Sequence, residues 1–111
     1  MPYIAPKDRD RFDLLINELV KRIKIEADDY GYDGAFAGLC NYTCLNIVLK
    51  VVRLQFGKFR YWMSPIIRGI FFDMALEFYN RVVTPYEKKQ IKKNGDLPIF
   101  QEFLEEIENG K

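Results

Sequence analysis

The stretch Thr43-Cys44-Leu45-Asn46-Ile47-Val48-Leu49-Lys50-Val51-Val52-Arg53-Leu54-Gln55-Phe56-Gly57 decides the fold. Its β-branched centre has the composition of a strand. Its polar residues do not have a strand's spacing. Thr43, Asn46, Lys50, Arg53 and Gly57 recur at steps of three and four, which draws one narrow polar stripe along a helix. Almost everything else is apolar. A helix apolar around most of its girth is enclosed by several neighbours. The stretch therefore reads as a central helix over residues 36–56.

Working outward, the same period recurs. Upstream, Phe12, Leu15, Ile16, Leu19, Val20 and Ile23 form one face, with Asp10, Asn17, Lys21 and Lys24 opposite. Pro6 suits a first turn, and Asp8 and Asp10 favour the positive end of the helix dipole. This helix should stop near Asp28-Asp29, before the loop Tyr30-Gly31-Tyr32-Asp33-Gly34. Downstream, Ser64-Pro65 reads as an N-cap hydroxyl and a first-turn proline. A third helix should run from there to about Thr84. Ile67, Ile70, Phe71, Met74, Phe78 and Val82 make its apolar face, and Phe72, Leu76, Tyr79 and Val83 widen the arc. Pro85 marks a boundary or kink. A short basic helix over residues 87–93 should end at Asn94-Gly95, and Asp96 can cap a last helix bearing Phe100, Phe103, Leu104 and Ile107. No strand signal survives. The expected fold is an all-α single domain over residues 1–111: a bundle of three long helices plus one or two short C-terminal ones.

Charge is unevenly placed. The chain has 111 residues and a formal charge of +1, yet residues 34–72 hold Lys50, Arg53, Lys58, Arg60 and Arg68 with no acidic residue. The segments on either side each hold eight acidic and six basic side chains. The basic zone contains the one Trp, within Phe56-Gly57-Lys58-Phe59-Arg60-Tyr61-Trp62. Alternating rings and cations can stack bases and hold phosphates. Lys50, Arg53, Lys58, Arg60 and Trp62 are thus the candidate nucleic-acid-binding residues. The competing reading is a tight helix connection whose rings plug the end of the bundle while the cations face water.

Other chemistries find little support. There is no His, which removes the usual general base, the Ser-His and Cys-His pairs and the commonest metal ligand. No glycine-rich phosphate loop occurs. Cys40 and Cys44, four residues apart on a helix, have Cβ atoms ~6 Å apart, beyond an undistorted disulfide. They read as two small buried apolar side chains. Asp73 and Glu77 form an i, i+4 carboxylate pair, with Arg81 one step further to make a helix ion pair. No cofactor, metal or small-molecule substrate is expected. The first residues have no signal-peptide pattern, and no run approaches a membrane span, since Asn46, Lys50, Arg53 and Gln55 interrupt the best one. A cytoplasmic protein that does not engage a membrane is expected, in the host cytoplasm if phage-encoded.

Leu76-Glu77-Phe78-Tyr79-Asn80-Arg81-Val82-Val83-Thr84-Pro85-Tyr86-Glu87, followed by Asn94-Gly95-Asp96, resembles the C-terminal signature of a family of small uncharacterised prokaryotic and phage proteins. The opening Met1-Pro2-Tyr3-Ile4 and the Gly38-x-x-Asn41-Tyr42 element fit the same pattern in the same order. The resemblance covers residues 1–96. It implies that residues 97–111 are a C-terminal extension. It implies no activity, but it suggests that Asn41, Tyr42, Glu77, Arg81, Tyr86 and Glu87 share a structural polar network. The expected function is non-enzymatic: an interaction or oligomerisation module, a homodimer formed through the second and third helices with Phe72, Leu76, Tyr79 and Val83 at the interface. The alternative is a nucleic-acid-binding accessory protein that uses the basic-aromatic loop.

Overall fold

A computed structural model describes residues 3–110, and these contain helices and no strand. The expected all-α class is what the chain adopts. In order, the elements are α1 (Pro6–Tyr30), α2 (Ala35–Phe56), a 3-10 turn (Tyr61–Met63), α3 (Ser64–Phe78), a π turn (Tyr79–Val83), α4 (Thr84–Asn94) and α5 (Pro98–Asn109). The chain divides into two compact units, Met1–Gly69 and Ile70–Lys111.

The first unit is built on a helical hairpin. Pro6 opens α1, where its missing N–H costs nothing, and the Asp8 N–H donates to the Ala5 carbonyl at 2.8 Å. Arg22–Glu26 and Lys24–Asp28 ion pairs, at 3.2 and 2.7 Å, link successive turns of the helix. Gly31 ends the helix at φ 78°, ψ 14°, and its N–H donates to the Asp28 carbonyl at 3.1 Å. An L side chain in that left-handed region costs roughly 1–2 kcal/mol. Gly31→Ala should therefore lower the urea midpoint by an equivalent of about 1 kcal/mol or more, although nothing lies within 4 Å of an added Cβ.

The reversal brings α2 back along α1, with the small Ala35 buried at the bend (5% exposed). Two polar residues of the α2 stripe are satisfied by the helix itself. The Thr43 hydroxyl donates to the Leu39 carbonyl at 2.7 Å, and the Asn46 amide to the Tyr42 carbonyl at 2.8 Å. These bonds let the stripe enter an apolar environment without stranded polar groups.

Beyond α2, Gly57 turns the chain at φ 73°. The expected Ser64 cap is not formed. Ser64 is itself helical (φ −57°, ψ −46°), and its N–H bonds the Tyr61 carbonyl, so the 3-10 turn leads directly into α3. Met63 in that turn is buried (3% exposed).

The second unit departs from the expected pattern at proline. Helix does not stop at residue 84. It passes through the π turn and continues as α4. Pro85 has no N–H to return to the preceding turn, and its ring crowds the carbonyl four residues back. Widening the turn before it relieves the crowding, and the Thr84 N–H reaches the Tyr79 carbonyl five residues behind. Gly95 ends α4 at φ 86°, ψ 154°, a backbone region reserved for glycine. Asp96 then accepts from the Leu97 N–H at 2.8 Å and the Gln101 amide at 2.6 Å, which sets the entry to α5.

Burial is where expectation and structure part. The central helix was expected to be enclosed on several sides. In the single chain, Ala35 is its one buried residue, and across all described residues only Ala35 and Met63 are buried. α2 packs along α1 and is otherwise open: Leu45, Ile47, Leu49, Val51 and Leu54 are exposed, Leu54 at 86%. Cys40 is half-buried and Cys44 exposed, so the pair is not the buried couple expected from the sequence.

Candidate functional site

Three surfaces carry the chemistry. The first is the apolar face of α3 and the turn that follows it. Phe72, Leu76 and Tyr79 are exposed, while Val83 is half-buried. In an unbroken α-helix these four would share one stripe. The π turn adds a residue to its turn and rotates Val83 out of line with the other three. Phe78 and Val82 are exposed as well. Large apolar side chains left bare in rows rather than singly mark an interaction face.

The second surface is the basic-aromatic connection. Lys50, Arg53, Lys58 and Arg60 are all exposed, and none enters an ion pair among the described residues. The rings behave less uniformly. Trp62 stands edge-on to Phe56, with centroids 5.9 Å apart and planes at 83°, the T-shaped geometry that suits aromatic quadrupoles. Phe59 lines a small cavity with Leu49, Val52 and Arg53. Tyr61 faces outward (84% exposed). The turn at Gly57 brings Phe59 and Trp62 back toward α2, and all four rings of the run stay exposed beside the cations.

The third surface was not anticipated. A groove of about 480 Å³ runs between α1 and α2, floored by Val20, Ile23, Ala27, Phe36 and Cys40. Asp28 and Asp33 stand on its rim, and Asp28 is held by Lys24. The signal was present in the sequence as small residues, Ala27, Gly31 and Ala35, spaced where two helices reverse. Only the pairing of the helices shows that they open a groove.

The proposed polar network falls into two parts. Asn41 and Tyr42 are exposed on α2 of the first unit. Glu77, Arg81, Tyr86 and Glu87 belong to the second, where Glu77 and Arg81 pair at 3.9 Å along one helix face. Asp73 is exposed one turn before Glu77. Among the described residues no group of three His, Cys, Asp or Glu side chains converges as a metal site.

One expectation about α2 needs correction. With 22 residues it is ~33 Å long, enough for a ~30 Å hydrocarbon core, and it is apolar enough to cross a bilayer by length and composition. Lys50 and Arg53 lie in its C-terminal third. The central helix of a helical assembly has the same length and composition.

Helices throughout and bare apolar faces among the described residues define an all-α protein with extensive exposed apolar surface. The chain belongs to the family defined by a domain of unknown function (DUF6899), which spans residues 1–97. The match ends at the entry to α5. No curated protein and no solved structure matches the chain.

Proposed function

We propose that this protein is a non-enzymatic association module that completes its core with a second copy of itself, forming a helical bundle across a two-fold homodimer. The observation that carries this reading is burial. Only two described side chains are buried, although the chain has the composition of an ordinary globular domain. A chain of this length and 49% hydrophobic content has the material for a core. Two paired helices do not make one, because most helical stability comes from packing of the apolar face. The partner's α2 and α3 would cover Phe72, Leu76 and Tyr79 and the open side of α2. Isologous pairing covers the same face on both copies and leaves no sticky remainder. We place the module in the cytoplasm, in a prokaryote or a phage-infected host.

Size-exclusion chromatography with light scattering tests this, with absorbance read at nucleic-acid and protein wavelengths. The expected result is a dimer or larger mass free of nucleic acid. A monomer at every concentration removes the reading.

A second reading rests on the four exposed cations and the acid-free zone around them. There the protein binds nucleic acid through Lys50, Arg53, Lys58, Arg60 and Trp62, and binding falls steeply with salt. Lys58→Glu/Arg60→Glu should then weaken binding to single-stranded oligonucleotides tenfold or more, measured by fluorescence anisotropy. Unchanged affinity excludes the loop. The same variant should leave the dimer mass unaltered.

A further inference from the structure

The end of α2 and the turn beyond it bring cations and apolar side chains together at the surface. Lys50, Arg53, Leu54 and Gly57 follow the i, i+3, i+4, i+7 spacing of one helix face. Leu54 thus stands beside both cations, and it is 86% exposed. Past Gly57, where the chain turns, come Lys58 and Arg60, both exposed, and then Tyr61 and Trp62. Arg68 adds a fifth exposed cation early in α3. No acidic residue occurs in residues 34–72. None of the five cations enters an ion pair among the described residues.

The rings and the aliphatic residues decide what such a patch fits. A single-stranded nucleic acid needs open ring faces on which successive bases stack. Here Phe56 and Trp62 meet edge to face, and Phe59 lines the small cavity with Leu49 and Val52. Among the described residues Tyr61 is the one ring of the run in neither contact. Leu54 and Ile66, both exposed, gain nothing on a sugar-phosphate backbone. At the boundary between lipid headgroups and acyl chains every component has a partner. Aliphatic side chains bury area there, Trp and Tyr rings favour headgroup depth, and Lys and Arg meet anionic phosphates.

We propose that residues 54–62, with Lys50, Arg53, Ile66 and Arg68, seat the protein on the surface of a bilayer that contains anionic phospholipid. This departs from the expectation, drawn from the sequence, that the chain does not engage a membrane. It holds whether or not the chain pairs with itself.

The chain's one Trp lies inside the patch, so it reports the contact without a label. The full chain is titrated with vesicles of phosphatidylcholine alone and of phosphatidylcholine mixed with phosphatidylglycerol. With the mixed vesicles the Trp62 emission should shift to the blue, and acyl-brominated lipid should quench it. Vesicles of phosphatidylcholine alone should bind at least about tenfold more weakly. Lys58→Glu/Arg60→Glu should cost about tenfold or more in affinity for the mixed vesicles. So should Leu54→Gln, which keeps every charge and alters a side chain already in water, at little cost to the fold. Failure to bind the mixed vesicles overturns the proposal. So does equal affinity for the two kinds of vesicle, or unchanged affinity in either variant. Binding of a single-stranded oligonucleotide without binding of vesicles overturns it too, and gives the patch to nucleic acid. None of these outcomes depends on the dimer mass, so this inference and the association reading fail separately.

Discussion

Leu76→Glu should abolish self-association. Leu76 is exposed in the single chain and lies one turn from Phe72 on α3. If a second copy covers this face, the substitution places two carboxylates in a shared apolar seam. Burying an unpaired charge costs several kcal/mol, and even a shifted, neutral carboxyl loses the leucine contact. The expected cost is at least about 3 kcal/mol, roughly a hundredfold or more in the dissociation constant. Light scattering should report a monomer at concentrations where the wild type is associated. On an isolated chain the same substitution would replace one exposed side chain by another, worth about 0.5 kcal/mol or less. A folded Leu76→Glu variant with the wild-type mass would show that the face is not shared.

Dilution should lower the melting temperature. A chain whose core is completed by a copy folds and associates in one step, so its stability depends on concentration. Tenfold dilution removes about 1.4 kcal/mol. With an unfolding enthalpy of about 0.7 kcal/mol per residue over two chains, the midpoint should drop by about 3 °C per tenfold dilution. Circular dichroism over a hundredfold concentration range measures this. A midpoint independent of concentration would mean that each chain holds its own core.

Helical pattern was legible in the sequence, and tertiary enclosure was not. The polar stripe from Thr43 to Gly57 placed α2 within one residue of its observed start, because a 3.6 period over so long a stretch has no competitor. Gly31 and Gly95 end helices where their φ values require glycine. The π turn was missed because five residues are too few to separate its period from an α-helix. Pro85 signalled trouble, and the chain answered with a wider turn instead of a break. Ser64-Pro65 misled for a different reason. The preceding Tyr61–Met63 turn already supplies a carbonyl to the Ser64 N–H, so the hydroxyl has no cap to make.

The candidate sites divide in the same way. Charge is a property of composition, and the five cations of the basic zone are at the surface. Ring direction depends on the backbone turn at Gly57, which sends Phe59 and Trp62 back toward α2. Wide apolar arcs on α2 and α3 are legible as helical periodicity, and the structure leaves most of their large side chains exposed.

Amide hydrogen exchange along α2, followed as a function of protein concentration, tests the central claim most directly. Helical amides whose side chains face water exchange through local opening, whereas those of a packed core wait for the whole assembly to come apart. The account predicts slow exchange over residues 45–56 in concentrated protein, and loss of that protection on dilution below the dissociation constant. Equal protection at every concentration, in a protein of monomer mass, would contradict it.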